Sequence, residues 1–386
     1  MTAGRARRIV VAPDGFKGSI GAADAARAVA AGWSAVRPGD GLVLRPVADG
    51  GEGTLAAFEA AVPGARRVPV VVPGPDDAPV AAHWLLLPDG TGVVELAGTS
   101  GIELLGRPPR LRPVDAHTTG FGRAVAAALD HGVHRLVLGI GSSASTDGGT
   151  GLLAALGARF TDTAGRPVAA GARGLGDLAR VDRSGLRPLP PGGALVLTDV
   201  RNPLTGPRGA AAVFGPQKGL VGGDARRADA GLARLARLLD VDPTVPGAGA
   251  AGGTGAALLA WGARLVPGAP EVADLVGLPA ALAGADLVVT GEGAYDAQSA
   301  AGKAPAFVAA LARRLGVPAA LVAGRVGDDA GAGGADRAGP GAAGGVRGFA
   351  AVRSLTVLAG SADGALADPE RWLRVAGADL AGALFG

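Results

Sequence analysis

Five short segments of the chain combine glycine, carboxylate and hydroxyl side chains, and each follows an apolar run. Glycine lets backbone N–H groups approach an anion closely, hydroxyls donate to phosphate oxygens, and carboxylates hold a divalent cation or accept a hydroxyl proton. Phosphoryl transfer requires these groups. The segments are PDGFKGS (13–19), ADGGEGT (48–54), GSSASTDGG (141–149), TDVRNPLTGP (198–207) and TGEGAYDAQSAAGKAP (290–305). The sequence therefore predicts a phosphoryl-transfer site built from loops.

Lysine is rare in this chain and falls in or near the same segments. Of the 37 basic residues, three are lysines, Lys17, Lys218 and Lys303, and the other 34 are arginines. Lysine carries a compact point charge, whereas arginine carries a planar, delocalised one. A lysine retained in so arginine-rich a chain indicates that a point charge is needed, as at a phosphate or a carboxylate.

The same carboxylates also have an ordinary structural interpretation. Asp14, Asp49 and Asp199 could each satisfy local N–H groups in a turn or at a helix cap. Their recurrence in five similar loops favours chemistry over local capping. Glu95 follows an apolar run and precedes small hydroxyl residues, which makes it a candidate for contact with a substrate.

The elements that would carry these loops alternate between strand and helix patterns. RRIVVAP (7–13) and GLVLRPV (41–47) read as strands, and GSIGAADAARAVAAGW (18–33) between them reads as a helix capped by Ser19. This order implies a parallel strand pair with a right-handed crossover. It recurs twice, which indicates an α/β fold.

The two later copies of the pattern give further expected elements. Helices are expected over TTGFGRAVAAALDHG, GTGLLAALGARF and APAFVAALARRLG, and strands over HRLVLGIG, GALVLTDV, ADLVVTGEG and VPAALVAG. Ligands in such folds bind beyond the carboxyl ends of the strands. Residues 327–348 lack apolar periodicity and read as a flexible surface loop.

Composition bounds the class of protein. The chain has 386 residues, of which 68 are glycine and 28 proline, but 48% are hydrophobic and 18% charged, so a folded protein of about two domains is expected. The net charge of +3 and the scattered arginines argue against a nucleic-acid partner. No apolar stretch suits a membrane span or a secretory signal, and the absence of cysteine is compatible with the cytoplasm. The oligomeric state stays open, a homo-oligomer included.

Common nucleotide motifs fit poorly. The chain has no GxxxxGK[ST] sequence, because Ala304 follows Gly302 and Lys303, so a P-loop kinase is not expected. GAGAAG (247–252) matches GxGxxG but follows no strand. GIGSSA (139–144) follows a strand, yet the next residues do not open a helix, which leaves dinucleotide binding a weak alternative.

Taken in order, these segments resemble the bacterial-type glycerate kinase family. The segments that carry the resemblance run from Ile9 to about Gly324 and are APDGFKGSIGAADAARAVAAGW, PVADGGEGT, ELAGTSGIELL, TTGFGRAVAAALDHGVHRLVLGIGSSASTDGGTGLLAALGARF, LTDVRNPLTGPRGAAAVFGPQKG, VPGAGAAGGTGAALLAWGARLVPG and ADLVVTGEGAYDAQSAAGKAP. The resemblance implies two α/β domains. A Rossmann-like domain would comprise residues 1–68 and 284–386, and a mixed α/β domain, 69–283, would be inserted into it.

The resemblance also implies an activity, namely transfer of the ATP γ-phosphoryl group to a hydroxyl of D-glycerate, with 2-phosphoglycerate as the expected product and Mg²⁺ bridging the phosphates. The implied catalytic residues are Asp199 or Asp49 as base, with Lys17 and Lys303. The implied metal-site residues are Asp147, Glu292 and Asp296. The implied nucleotide-binding residues are Ser19, Gly141, Ser143, Thr146, Gly291, Gly293, Gln298 and Ser299.

The chain departs from the family pattern at a few positions. Ala294, followed by Tyr295, stands where the family carries an arginine, and Ser142 stands where a glycine is usual. Two alternatives therefore stay open: a kinase for another small hydroxy acid, and a non-catalytic ligand-binding relative.

Overall fold

The computed structural model describes residues 5–296, 299, 303–327 and 346–386. Contacts divide the chain into two compact units. Unit 1 comprises Met1–Asp49, Ala56–Pro63 and Ala269–Gly386, and unit 2 comprises Gly50–Leu55 and Gly64–Gly268. The expected α/β fold, with a Rossmann-like domain from both chain ends and an inserted α/β domain, is confirmed. The boundaries placed at residues 68 and 284 stay predictions.

The strands follow the Val- and Leu-rich runs of the sequence. In chain order they are β1 (Arg8–Val11), β2 (Gly41–Leu44), β3 (Arg66–Pro73), β4 (Pro79–Leu86), β5 (Thr91–Glu95), β6 (Arg135–Gly139), β7 (Arg159–Thr161), β8 (Arg180–Asp182), β9 (Ala194–Leu197), β10 (Arg264–Val266), β11 (Leu287–Tyr295), β12 (Ala319–Val326) and β13 (Ala351–Ser354).

The helices are α1 (Ala22–Val36), α2 (Thr54–Ala61), α3 (Ala97–Ser100), α4 (Thr119–Asp130), α5 (Thr150–Ala155), α6 (Gly171–Gly174), α7 (Ala210–Phe214), α8 (Gly222–Leu239), α9 (Ala250–Trp261), α10 (Gly268–Leu275), α11 (Leu278–Leu282), α12 (Ala304–Arg314), α13 (Leu355–Ala359), α14 (Ala362–Ala367) and α15 (Pro369–Phe385), with short 3₁₀ helices at Ile102–Leu105 and Pro216–Lys218. Within the described residues no helix is both long and apolar enough to cross a membrane.

Unit 1 contains a five-stranded sheet in the order β13-β12-β11-β1-β2, and every neighbouring pair is parallel. Helices α1 and α15 cross closely because glycine faces backbone at the crossing. A Cβ at Gly32 would lie 1.9 Å from the Arg374 carbonyl oxygen, and one at Gly377 would lie 2.2 Å from that of Val29. The buried Trp33 fills the core beside them.

Unit 2 contains a six-stranded mixed sheet in the order β10-β9-β6-β5-β4-β3. Strands β10, β9, β6 and β5 are parallel, whereas β4 runs antiparallel to both β5 and β3. A separate antiparallel pair joins β7 and β8. The sheet core is apolar and includes the buried Trp84, Phe121 and Leu138.

Three local expectations were wrong. Ser19 does not cap α1, because it lies in a turn closed by its N–H to the Phe16 carbonyl, and the N-cap position is Gly21. Helix α5 ends at Ala155, since Gly157 takes a φ of 110° and the ARF tail of the expected helix leads into β7. Strand β11 continues through Ala294 and Tyr295, two residues beyond the expected strand ADLVVTGEG. Most of the expected 327–348 loop lies outside the described residues.

Candidate functional site

Asp14 begins the loop after β1 and is tied to the neighbouring strand. Its N–H donates to the Gly291 carbonyl at 2.8 Å, and the Gly15 N–H donates to its Oδ1 at 2.7 Å. The residue is partly exposed. The pKa of Asp14 is raised to about 8, and burial of the carboxyl group is the main cause; the charges of Asp49 and Glu292 also raise it, whereas the Gly15 N–H and Lys17 lower it.

Glu292 lies on β11 and carries a second carboxylate, whose charge acts on Asp14. The side chain is 7% exposed, and its Oε1 has no hydrogen-bond partner. Burial is the main cause that raises the pKa of Glu292, and the nearby Ser299 side chain and the charge of Lys303 act in the opposite direction. Asp296 and Asp49 raise it as well. Carboxylates from two loops and one strand of unit 1 thus lie close enough for their charges to raise the pKa values of Asp14 and Glu292.

Two glycines of β11 face neighbouring backbone at close range. A Cβ at Gly291 would lie 2.1 Å from the Val322 carbonyl oxygen, which is a severe overlap. A Cβ at Gly293 would lie 3.2 Å from the Lys17 backbone nitrogen. The GEG sequence therefore keeps the loop after β1 close to the strand that carries Glu292.

Lys303 stands at the N-cap position of α12, and its N–H donates to the Ser299 carbonyl at 3.2 Å. The Ser299 hydroxyl donates to the Ala294 carbonyl at 3.2 Å, and its N–H donates to Asp296 Oδ1 at 3.0 Å. Lys303 is exposed, and its charge acts on Glu292.

In unit 2, Asp147 organises the loop after β6. The residue is fully buried, and its carboxylate accepts five hydrogen bonds. Oδ2 accepts the N–H and hydroxyl of Thr118 at 2.9 and 2.8 Å and the Gly151 N–H at 3.2 Å. Oδ1 accepts the Ser145 hydroxyl at 3.2 Å and the Gly149 N–H at 3.1 Å. Its proximity to a metal stays a prediction, and its observed contacts are those of a loop-stabilising group.

Lys218 is buried against the same loop. Its Nζ donates to Ser143 Oγ at 2.7 Å and to the Ser145 carbonyl at 2.6 Å. Burial lowers the pKa of Lys218 to about 8, and the charge of Asp147 acts in the opposite direction. The Thr146 hydroxyl oxygen, buried in this loop, has no hydrogen-bond partner.

Glu95 and Asp199 also lie at strand ends of unit 2. Glu95 accepts the N–H groups of Gly53 at 3.2 Å and Leu55 at 3.0 Å, and burial is the main cause that raises its pKa to about 7. Asp199 is exposed, and its Oδ1 accepts the Gly268 N–H at 2.8 Å. Glu95 thus holds a backbone turn. The role of Asp199 as a base stays a prediction.

The expected site residues divide between the two units. In unit 1 lie Lys17, Ser19, Asp49, Gly291, Glu292, Gly293, Asp296, Ser299 and Lys303. In unit 2 lie Gly141, Ser143, Thr146, Asp147 and Asp199. Gln298 lies outside the described residues. Among the described residues, no three His, Asp or Glu side chains converge closely enough to hold a metal ion by themselves.

The family resemblance did not assign Asp14 or Lys218 to the site. Both carried a signal, since Asp14 is in the first glycine-rich loop and Lys218 is one of three lysines. Their burial could not be read from that signal, because it depends on residues far along the chain.

The two units define a two-domain α/β fold whose strand-end loops carry carboxylates, hydroxyls and lysines. The model of the Glycerate kinase family matches residues 9–383. The chain is 41% identical over 327 residues to a glycerate kinase of Halalkalibacterium halodurans, covering 83% of this chain and 86% of that protein. It is 41% identical over 332 residues to a glycerate 2-kinase of Escherichia coli, covering 84% and 87%.

A solved structure agrees with these comparisons. The crystal structure of a proposed glycerate kinase 2 from Salmonella typhimurium LT2 matches with a TM-score of 0.82 at 38% identity, covering 98% of each chain. The chain belongs to the glycerate kinase family, and it is an enzyme of that class.

Proposed function

We propose that this protein transfers the γ-phosphoryl group of ATP to the 2-hydroxyl of D-glycerate and releases 2-phosphoglycerate and ADP. Family membership supports glycerate as the acceptor, and the Escherichia coli relative named glycerate 2-kinase supports the 2-hydroxyl. The observation that carries the proposal is the carboxylate group Asp14, Asp49 and Glu292 at the strand ends of unit 1. This group combines a proton acceptor with oxygen donors for a cation.

We propose Asp14 as the base, in preference to Asp49 or Asp199. General-base catalysis is most effective when the pKa of the base lies near the working pH, and the pKa of Asp14 is raised to about 8. In the reaction, the ionised Asp14 carboxylate takes the proton of the glycerate hydroxyl. The oxygen then forms a bond to the γ-phosphorus as the bond to ADP breaks, and the charge passes to ADP.

Positive charge at this site would come from Lys17 and Lys303. Each lysine acts on a carboxylate of the group, Lys17 on Asp14 and Lys303 on Glu292. A lysine ammonium is a common partner of phosphate oxygens and of small carboxylates. We therefore assign these two side chains to neutralising the phosphates of ATP and the carboxylate of glycerate.

The carboxylates of Glu292 and Asp296 fit a magnesium ion. Magnesium is usually held by one or two carboxylates together with phosphate oxygens, rather than by a cage of protein ligands. Glu292 offers a buried carboxylate oxygen that lacks a hydrogen-bond partner, and Asp296 is a nearby carboxylate. Glu292 and Asp296 would hold the ion, which would supply neutralisation of the charge on the transferred phosphoryl group.

A substrate panel tests this function. The purified protein is given ATP and Mg²⁺ with D-glycerate, L-glycerate, glycolate, lactate or tartrate, and ADP release is followed by a coupled assay. We expect D-glycerate to have the highest kcat/KM. A higher kcat/KM for another hydroxy acid would favour the alternative suggested by Ala294 and Tyr295. Absence of turnover by folded protein with every acceptor would refute the proposal.

Matched variants test the assignment of the base. Asp14→Asn removes the proton acceptor but keeps the shape of the side chain, and we expect kcat to fall by about a hundredfold or more. Asp274→Asn is the control, because Asp274 is an exposed aspartate of the same unit. An Asp14→Asn variant with nearly unchanged kcat would assign the base to another residue.

A further inference from the structure

Lys218 is a long cationic side chain enclosed within unit 2. It ends the 3₁₀ helix Pro216–Lys218, and it is 3% exposed. A charge is retained in a protein interior only where hydrogen bonds and an opposite charge offset the loss of hydration. Both are supplied by one short loop, since the ammonium donates to Ser143 and Ser145 and lies within the electrostatic influence of the buried Asp147.

The contacts of Lys218 hold this loop at more than one point. The Ser145 carbonyl accepts from Lys218, while the Ser145 hydroxyl donates to Asp147. Asp147 is itself fixed by two bonds from Thr118. The loop is therefore clamped between the lysine on one side and the start of α4 on the other.

Two hydroxyls of the clamped loop have donor capacity that the chain does not use. An ammonium group has no lone pair, so the oxygen of Ser143 must be the acceptor from Lys218 and its own proton points elsewhere. Across the described part of the chain, no hydrogen bond is donated by the Ser143 hydroxyl. Thr146 is 1% exposed, and its hydroxyl oxygen has no partner. Buried hydroxyls without partners are uncommon, because each one costs free energy.

We propose that Lys218 is a positioning residue for the reaction: by fixing the 143–147 loop it directs the hydroxyls of Ser143 and Thr146 to an anionic oxygen of a ligand. The two sources of such an oxygen are the carboxylate of glycerate and the phosphates of ATP. Their shared chemistry is that of an oxyanion, which accepts hydrogen bonds from hydroxyl groups. The choice between these two ligands rests on the proposed function, but the clamping of the loop does not.

The experiment compares three variants of the whole protein. Lys218→Met keeps the length of the side chain but removes the charge and the donors, and Lys218→Gln keeps an N–H donor. Gln217→Met is the matched control, because Gln217 is exposed in the same 3₁₀ helix. Hydrogen–deuterium exchange of residues 141–149 is measured without ligand. KM for ATP, KM for glycerate, kcat and the calorimetric affinity for ADP are measured on the same samples.

We expect Lys218→Met to speed exchange in residues 141–149 and to raise KM for one substrate about tenfold or more, the loss of hydrogen bonds to a charged ligand having this order of effect. A rise in KM for ATP with weaker ADP binding assigns the hydroxyls to phosphate, and a rise confined to glycerate assigns them to its carboxylate. Lys218→Gln should be intermediate, and Gln217→Met should match the wild type. Unchanged exchange with both KM values unchanged would overturn the proposal.

A second variant covers the case in which Lys218→Met does not fold. Ser143→Ala leaves the bond from Lys218 to the Ser145 carbonyl in place. It should raise KM for the same substrate while exchange of the loop changes little, and unchanged KM values for both substrates would overturn the proposal. If the wild type does not phosphorylate glycerate, the proposed function fails, while exchange and ADP affinity still report on the clamp.

Discussion

The raised pKa of Asp14 makes the stability of the protein depend on pH in a defined direction. The folded state holds the Asp14 proton up to about pH 8, whereas the ordinary pKa of an aspartate is 3.8. Between these values the folded state binds more protons than the unfolded state, so stability falls as pH rises. The contribution of protonated Asp14 to the free energy of unfolding is fully present below pH 3.8 and is lost by about pH 8.

The Asp14→Asn substitution should remove this dependence. Each pH unit across the window corresponds to about 1.4 kcal/mol, so about three units between pH 5 and pH 8 give a loss of up to about 4 kcal/mol. Part of the shift comes from the charges of Asp49 and Glu292, which are shared among neighbouring carboxylates and do not act on Asp14 alone. We therefore expect the wild type to lose about 2–4 kcal/mol more than the variant over this range.

Urea unfolding at about pH 5 and about pH 8, followed by tryptophan fluorescence, measures this difference, since the buried Trp33 lies in the core of the same unit. Near pH 5 the variant should be more stable than the wild type by only about 1–2 kcal/mol, because this pH lies about one unit above the ordinary aspartate pKa of 3.8. Near pH 8 its advantage should be larger. The Asp274→Asn control should follow the wild type. Equal losses of stability in the wild type and in Asp14→Asn would refute the burial argument.

Three further predictions concern the other charged groups and one glycine. Asp147→Asn should lower the free energy of unfolding by about 3 kcal/mol or more in urea titration, because an amide cannot accept the same five hydrogen bonds; a loss below about 1 kcal/mol would contradict this. Lys17→Ala and Lys303→Ala should each lower kcat/KM at least about tenfold, because each removes a positive charge that we assign to the ligands. Arg226→Ala, at an exposed arginine, should leave kcat/KM nearly unchanged. Equal effects of all three substitutions would contradict the assignment of Lys17 and Lys303 to ligand binding. Gly291→Ala should lower the melting temperature in a calorimetric scan, because its Cβ would lie 2.1 Å from a carbonyl oxygen of β12, and an unchanged value would show that the strand pair adapts.

The parallel strands of the fold could be predicted because each is a short Val- and Leu-rich run followed by glycine and a polar loop. The runs IVV and LVV became β1 and β11, neighbours in one sheet although they are far apart along the chain. The order of strands could not be worked out from these runs and was not predicted. The two-domain arrangement came with the family resemblance, which carries information on the whole chain.

The protonation states of the site were beyond prediction from local sequence. The pKa of Asp14 depends on burial and on Asp49 and Glu292, which are brought close by the sheet. Contact of Glu95 with a substrate stays a prediction, and the structure adds that its oxygens accept the backbone N–H groups of Gly53 and Leu55. A carboxylate in a glycine-rich loop can serve either purpose, and only the three-dimensional contacts distinguish them.

The position of the new phosphate in the product tests the central claim most directly. Purified protein is incubated with D-glycerate, ATP and Mg²⁺, and the product is examined by phosphorus NMR with proton coupling. A phosphate on the 2-oxygen couples to one proton, whereas a phosphate on the 3-oxygen couples to two. We predict the one-proton pattern of 2-phosphoglycerate. The two-proton pattern, or unchanged glycerate in the presence of folded protein, would contradict the proposal.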